Sequence, residues 1–571
     1  MPTPHSPELE GRIATALKEA GVLERKITKL LEEYYRFETL WKSRTRGVVT
    51  GLKTLRQTVN GEAATLRPLL GRLRRLSSEG AEELGSEQAE FVQRICTFLQ
   101  CSNVPSQETS WEIVKRCHGL HRLATHFSRH YSVGGGSACL LCNPASGTGI
   151  LQARKCPPIG HQARRQANKE VVWVDAVVDD GKTWLRIVSV SEKSLLFDMA
   201  AGGWDWDAGD DHKEEGRSGD ENEVRLLEGT LDQGDEDDDD GISLVVMVRR
   251  LVEAARANRH QNRIPRLHIV LPRITESSNP EIARLIRQIR GMGRCRGRNG
   301  AGTAEVEIIV SCANSPFLTA SCPPVADALA NLLPKKLANL TSTVNLDCTV
   351  LIALVSDICH MPRQVAASKV AFQKYASQQL LEELTDGSSL VAHLYPALRS
   401  RRLVCTPTAA AQFWEIIDTI ASPTEATRAA AILPRSPGQG RADPVVELQR
   451  LSEHVVDSGL KLPIEVAGPP EGTEERFNVQ RLVERGLLPT VAAKVASSPE
   501  ISELNRGIVF YGWVQGITTV TCNNTLAKQL MRLVDECRTA DEEAGPNVWV
   551  HPVTRALLTK GKRGPKDEKS L

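Results

Sequence analysis

Four short apolar runs rich in β-branched residues lie between positions 343 and 551, and longer stretches with helical periodicity separate them. The runs span 343–349, 403–405, 517–521 and 548–551. Two parallel strands need a crossover connection, which is usually a helix, so this alternation is typical of a parallel sheet. The pattern therefore predicts an α/β domain over residues 341–555.

The first run ends in the sequence Asp347-Cys348-Thr349. Open α/β sheets bind ligands outside the carboxyl ends of their strands, so an acid at this position predicts a functional site. The alternative is that Asp347 and Thr349 only cap the helix that follows the strand.

This segment resembles the first motif of the PIN-domain superfamily, a group of metal-dependent RNA nucleases and their relatives. The motif reads hydrophobic-Asp-x-Ser/Thr, and residues 347–349 match it. The last two acids of the superfamily lie at a helix start and after a strand that reads hydrophobic-Thr-x-Asp. Here Asn505 and the run Thr521-Cys522-Asn523 occupy those places, so the resemblance implies a PIN-like domain with two acids replaced by amides.

A further acid of the superfamily lies on a helix after a short strand, here 409–421 after 403–405. By offset, Gln412 is the closest match, and Glu415 and Asp418 lie one and two turns later. The wider layout is similar to a eukaryotic family known only as a domain of unknown function. That likeness is carried by DGKTW at 180–184 and FWEIIDT at 413–419.

Metal chemistry limits what such a site can do. PIN nucleases cluster about four carboxylates around Mg²⁺ or Mn²⁺, which activates water and stabilises the leaving oxygen. With amides at 412, 505 and 523, Asp347 is the one sure acid. The candidates to compensate are Asp357, Glu415, Asp418 and Glu503, with Glu415 first. The resemblance therefore implies a catalytically degenerate pseudo-nuclease that binds RNA or a protein partner. A weak Mg²⁺- or Mn²⁺-dependent ribonuclease is the alternative.

The region 1–131 is predicted to be helical. Apolar residues recur at spacings of three and four on two faces, one over 23–41 and one over 52–73, and two more helices are predicted near 86–101 and 108–131. The pattern favours a helical bundle, with a coiled-coil interaction scaffold for a partner as the alternative. Residues 42–75 carry nine Lys or Arg against one acid, Glu62. Such a helix face either binds phosphate or is simply solvated.

Residues 132–168 are rich in Gly, Pro and Ser, which predicts a linker. Within this linker, the candidate zinc ligands are Cys139, Cys142, Cys156 and His161. Thiolate and imidazole ligands at these spacings can close a tetrahedral zinc site. The alternative is a flexible loop with ordinary thiols.

Residues 169–315 are predicted to form a small mixed α/β domain, with a hairpin turn at Asp179-Asp180-Gly181-Lys182. An insertion at 202–241 divides it. Because residues 205–240 hold 17 Asp or Glu against three Lys or Arg, we predict a disordered acidic segment. A later run of arginines without an acid is a candidate nucleic-acid site. Its members are Arg284, Arg287, Arg290, Arg294, Arg296 and Arg298.

Targeting signals are weak. The first residues lack an apolar h-region, no stretch reaches about 18 apolar residues, and 14 scattered cysteines do not suggest a disulfide scaffold. The net charge of +1 does not point to nucleic acid, but the tail 556–571 is basic. We therefore expect a protein of the cytoplasm or nucleus without a membrane span.

Overall fold

The structure is a computed structural model that divides into two compact units, Met1–Lys335 and Lys336–Leu571. It describes the following residues: 6–45, 47–78, 86–129, 171–206, 241–294, 305–334, 337, 339–361, 374–435, 443–467, 478–540 and 543–558.

Two long helices open the N-terminal unit, α1 (Ser6–Thr45) and α2 (Leu52–Ser78), and α3 (Ser86–Cys101) and α4 (Val104–Val114) follow. The helices α1 and α2 are antiparallel, since Glu38 and Glu24 of α1 pair with Arg56 and Arg74 of α2. The apolar face predicted for α1 is confirmed, because its members are buried: Leu23, Ile27, Leu30, Tyr34, Phe37 and Trp41.

A five-stranded sheet completes this unit in the order β1-β2-β3-β4-β5. Its strands are β1 (Arg122–Ser128), β2 (Val171–Val178), β3 (Thr183–Ile187), β4 (Arg266–Leu271) and β5 (Ile308–Cys312). The strands β3, β4 and β5 are parallel, whereas β1 and β2 are antiparallel to their neighbours. The predicted hairpin between β2 and β3 is confirmed, with its turn at Asp179–Gly181.

Helices cover both faces of this sheet. Residues of α1, α2 and α4 share a core with one face, and the other face packs against α5 (Glu192–Ala201), α6 (Ser243–Ala257) and α7 (Pro280–Gly291). Two short helices end the unit, α8 (Pro316–Thr319) and α9 (Val325–Asn331).

The prediction of a helix over 108–131 is wrong for the second half of that range. The helix α4 ends at Val114, Gly119 takes a φ of +52°, and the chain then enters β1. Every residue of β1 except Ala124 pairs with β2, so the partner strand and not the local sequence selects the extended form.

The C-terminal unit contains a second five-stranded sheet in the order β10-β9-β6-β7-β8, and every pair is parallel as predicted. The strands are β6 (Thr343–Leu346), β7 (Arg402–Cys405), β8 (Glu465–Val466), β9 (Thr518–Thr521) and β10 (Val548–Val550). Its central strands are buried, and one face packs on a large apolar core that includes Leu346, Leu403 and Val520.

The helices of this unit connect the strands. They are α10 (Cys348–Val355), α11 (Asp357–His360), α12 (Lys374–Asp386), a π-helix (Leu390–Leu394), α13 (Tyr395–Leu398), α14 (Pro407–Ile420), α15 (Pro423–Ile432), α16 (Pro444–Arg450), α17 (Val479–Glu484), α18 (Val491–Ser497), α19 (Glu503–Val514) and α20 (Asn524–Cys537). None of the helices described in either unit is both long enough and apolar enough to cross a membrane.

One buried ion pair ties α11 to α15. Arg428 and Asp357 are at most 1% exposed, and their charged groups lie 2.8 Å apart. Hydroxyl groups of Ser422 and Thr424 donate to the same carboxylate at 2.6 and 2.7 Å. The remaining guanidinium N–H groups donate to the carbonyls of Val355 and Leu451, so the pair is satisfied within the core.

Candidate functional site

The candidate site lies at the carboxyl edge of the parallel sheet in the C-terminal unit. The neighbouring strands β9, β6 and β7 run in the same direction, so their carboxyl ends meet at one edge. They are followed by Cys522, Asp347 and Thr406 respectively. Helices begin directly after each of the three strands, which makes this edge the place where polar side chains converge.

Asp347 is the acid of this edge, and it is 4% exposed. Its Oδ2 accepts hydrogen bonds from the hydroxyl groups of Thr521 at 2.5 Å and Thr349 at 2.8 Å. Asp347 stands at the N-cap of α10, but its side chain accepts no hydrogen bond from a backbone N–H group of that helix. The carboxylate is therefore held by one hydroxyl donor from the end of β9 and one from the first turn of α10, and it does not cap the backbone of that helix.

Asn523 is brought to the same edge. Its backbone N–H donates to Thr521 Oγ1 at 2.9 Å, so one threonine hydroxyl links Asn523 to Asp347. The Asn523 Oδ1 accepts from the N–H of Leu526 at 3.0 Å and caps α20. This amide oxygen is thus already used by its own helix.

Asn505 lies in the first turn of α19, whose side chains pack across the sheet. A Cβ atom on Gly507 would lie 3.4 Å from the Thr408 hydroxyl, which follows β7 at the carboxyl edge. At the other end, the carbonyl of Gly512 accepts at 3.0 Å from the N–H of Ile517, just before the start of β9. The helix therefore runs antiparallel to the strands, and its N-terminal turn faces the carboxyl edge. Among the described residues, no hydrogen bond joins the half-buried Asn505 side chain to Asp347.

The helix α14 brings its first turn to this edge and carries the other predicted residues away from it. Thr406 caps the helix by accepting from the N–H of Ala409 at 3.1 Å, and its hydroxyl lies 2.9 Å from that of Thr408. Gln412 is half-buried and Glu415 is exposed. At about 1.5 Å per residue, Glu415 lies more than two turns beyond the cap.

Sequence reasoning missed the threonines as a group. The hydroxyl groups of Thr349 and Thr521 donate to the Asp347 carboxylate, and those of Thr406 and Thr408 lie together at the end of the neighbouring strand β7. The available signal was the Thr-Pro-Thr sequence at 406–408, which directly follows a buried strand and places Pro in the first helical turn.

The electrostatics of the edge differ from those of an acidic metal site. Burial raises the pKa of the Cys348, Cys405 and Cys522 thiols to about 12, so these thiols stay neutral at physiological pH. Within the described parts of the chain, no group of three or more His, Cys, Asp or Glu is placed to hold a metal ion. Asp347 is the carboxylate among the described residues that directly follow β9, β6 and β7, and the helices that begin beside it have N-termini with partial positive charge.

The described part of the arginine run lies on and after α7 and is largely paired. Arg290 pairs with Glu276 at 2.6 Å and Arg294 with Glu305 at 2.9 Å. Arg284 lies 3.3 Å from Glu281 and stacks over Trp204, with its guanidinium 4.4 Å from the ring centroid. Arg287 is exposed. Glu276 and Glu305 lie outside α7, whereas Glu281 lies one turn before Arg284 on the same helix. Phosphate binding by this run stays a prediction.

Several predicted features lie outside the described residues. They are Arg296 and Arg298, most of the acidic insertion at 207–240, the tail from 559 onward, and the candidate zinc ligands Cys139, Cys142, Cys156 and His161.

Comparisons of the chain with models of protein families, with curated proteins and with solved structures give no match in any of the three. The function is therefore argued from the residues of the carboxyl edge alone.

Proposed function

We propose that the C-terminal unit is a catalytically degenerate PIN-like domain that binds single-stranded RNA at its carboxyl edge without cleaving it. One observation carries the proposal: among the described residues that directly follow β9, β6 and β7, Asp347 is the one carboxylate, and hydroxyl groups occupy one of its oxygens. The resemblance carried by residues 347–349 makes RNA the proposed ligand.

The charge of the site is the reason to propose binding without cleavage. A phosphate cannot approach four carboxylates unless divalent metal ions lie between them, and those ions also perform the chemistry. With Asn505 and Asn523 in two of the four places, about half of that negative charge is missing. Mg²⁺ dehydrates reluctantly and needs this charge, so metal binding and cleavage should both fail.

The replacement of acids by amides also makes direct phosphate binding favourable. The first N–H groups of a helix have no partner within the helix, and they bind anions. The helices α10, α14 and α20 begin at this edge, and the residue Thr408 there is exposed. A phosphate can therefore be held by N–H and hydroxyl donors in the absence of metal.

The test compares Thr408→Glu with Thr419→Glu in the full chain. Thr408 lies in the first turn of α14, where an acid suits the helix dipole, so the variant should fold. Its charge repels phosphate at the edge, and binding of a labelled 12-nucleotide RNA in EDTA should weaken about fivefold. Thr419 is exposed at the far end of the same helix and serves as the matched control.

Equal binding by the two variants would refute the proposal. A second assay incubates the RNA with wild-type protein and Mn²⁺, and no cleavage is expected. Cleavage that is lost in Asp347→Asn would favour a weak ribonuclease instead, with Glu415 as the first candidate for the missing acid.

A further inference from the structure

The face of α2 that borders α1 is unusually basic. Positions 53, 56, 60, 64, 67, 71 and 74 recur at spacings of three and four, so they form one stripe along the helix. Beside it, α1 presents Tyr35, Glu38 and Lys42, and Glu24 lies opposite the far end. We call this surface the basic groove. Its charged and aromatic residues are Glu24, Tyr35, Glu38, Lys42, Lys53, Arg56, Arg67, Arg74 and Arg75.

The groove has an excess of positive charge. Its six cations face two carboxylates, a net charge of +4, whereas the whole chain carries +1. Within the described chain, Lys53, Arg67 and Arg75 have no acidic partner. The only acid of α2, Glu62, accepts hydrogen bonds from Ser102 and Asn103 and does not neutralise the stripe.

The floor of the groove is open. Small residues separate the cations, namely Asn60, Ala64 and Gly71, and all three are exposed. A Cβ atom added at Gly71 would meet no atom within 4 Å. A chain of phosphates can therefore approach the helix between the long basic side chains.

Tyr35 adds an aromatic platform to this surface. Its side chain is 50% exposed, although its neighbour Tyr34 is 1% exposed in the core. The guanidinium of Arg56 lies 4.8 Å from the Tyr35 ring centroid. Proteins that bind single strands combine a basic groove with exposed aromatic rings on which bases stack.

We infer that the basic groove binds single-stranded nucleic acid, with phosphates along the α2 stripe and a base on Tyr35. The cations from Lys53 to Arg75 extend over about 33 Å of helix, which is enough for several nucleotides. This surface belongs to the N-terminal unit, so the inference does not depend on the function proposed for the sheet edge of the other unit.

The main test compares Ala64→Glu with Thr58→Glu in the full chain, using a labelled 12-nucleotide uridine RNA in 50 mM salt with EDTA. Both residues are exposed on α2, but Ala64 lies within the stripe and Thr58 lies on the other side of the helix. Both variants add one negative charge to the same helix. Ala64→Glu should weaken binding about fivefold, and Thr58→Glu less than twofold. Equal affinities would overturn the inference.

Two further variants test the roles of phosphate and base. Replacing Lys53, Arg67 and Arg75 by Gln should lower the slope of log affinity against log salt by about two. The control triple, at the exposed Lys193, Arg263 and Lys461, should leave the slope unchanged. Tyr35→Ala should weaken RNA binding about tenfold and leave binding of inorganic polyphosphate, which has no bases, unchanged.

The remaining outcomes decide against the inference. Absence of binding at low salt would remove the groove as a nucleic-acid site. Tighter binding of a 12-base-pair duplex than of the single strand would overturn the role of Tyr35. An effect of Ala64→Glu that disappears in the Thr408→Glu background would mean that the groove is not a separate site.

Discussion

His551 is a buried histidine without hydrogen-bond partners for its ring. The side chain is 1% exposed, and neither ring nitrogen has a partner among the residues that the structure describes. Its backbone N–H donates to the carbonyl of Thr521 at 2.8 Å, which places it at the end of β10 beside the candidate site. Burial, with the nearby charges of His393 and Arg555, lowers the pKa of His551 to about 4.

The perturbation is His551→Leu, and the first effect concerns neutral pH. A buried polar group without a partner lowers stability by about 1–3 kcal/mol, and replacing it by an apolar group removes that penalty. Some packing is lost in the exchange, so we expect the free energy of unfolding at pH 7.5 to rise by about 1 kcal/mol.

The second effect is on the free energy of unfolding at acidic pH. In the unfolded chain a histidine takes up a proton near pH 6.5, whereas folded His551 does so near pH 4. Between these values the unfolded state binds more protons, so stability is complete above pH 6.5 and falls as the pH decreases towards 4. The pKa falls from 6.5 to about 4 on folding, and each pH unit of this difference corresponds to about 1.4 kcal/mol. The free energy of unfolding should therefore fall by about 3 kcal/mol once the pH is below both pKa values. The His551→Leu variant should lack this part of the loss.

The assay is equilibrium urea unfolding of the full chain at pH 7.5, 6, 5 and 4.5, with hydrogen exchange of β9 and α20 to report on the C-terminal unit. His454→Leu is the matched control. His454 is half-buried, and its ring accepts from the Tyr395 hydroxyl at 2.9 Å and donates to the Cys359 carbonyl at 3.2 Å. Its replacement leaves both partners unsatisfied and should destabilise the unit by about 2 kcal/mol at pH 7.5.

Either of two results would refute the reasoning about His551. A loss of 1 kcal/mol or more in His551→Leu at pH 7.5 would mean that the ring has partners in solution. A steep acid loss that persists unchanged in the variant would mean that other groups carry the pH dependence.

Three other predictions follow from the described contacts and the cysteine spacing. The double variant Asn505→Asp/Asn523→Asp should bind Mn²⁺ more tightly than the wild type, as measured by calorimetry. An aspartate at 523 can still cap α20, so the variant should fold. Unchanged Mn²⁺ affinity would mean that these side chains do not converge with Asp347. Arg428→Met leaves the buried Asp357 carboxylate without its cation and should lower the free energy of unfolding by about 3–5 kcal/mol in urea, whereas replacing both partners by apolar residues should restore most of it. Protein purified without chelator should contain about one zinc by elemental analysis, and its absence would exclude the tetrahedral site at Cys139, Cys142, Cys156 and His161.

Much of the secondary structure could be predicted because each element carries its own periodicity. The strands around Asn345 and Val520 and the apolar faces of α1 and α2 were recognisable from residues close together in the chain. Asp347 was recognisable as a candidate site residue for the same reason, since it directly follows a β-branched run. The strand β1 was not recognisable from the sequence, because its extended form depends on pairing with β2, which is separated from it by more than 40 residues.

The surroundings of each candidate residue depend on which distant segments become neighbours. Asp347 and Thr521 are 174 positions apart, and only the pairing of β6 with β9 makes one the hydrogen-bond partner of the other. The arginine run acquires one of its partners in the same way, since Arg284 stacks over Trp204, which lies 80 positions earlier in the chain. Local patterns therefore specify the elements and the strand-end acid. The partners of a charged group depend on long-range packing, because hydrogen bonds and ion pairs act over a few ångströms of space whatever the separation along the chain.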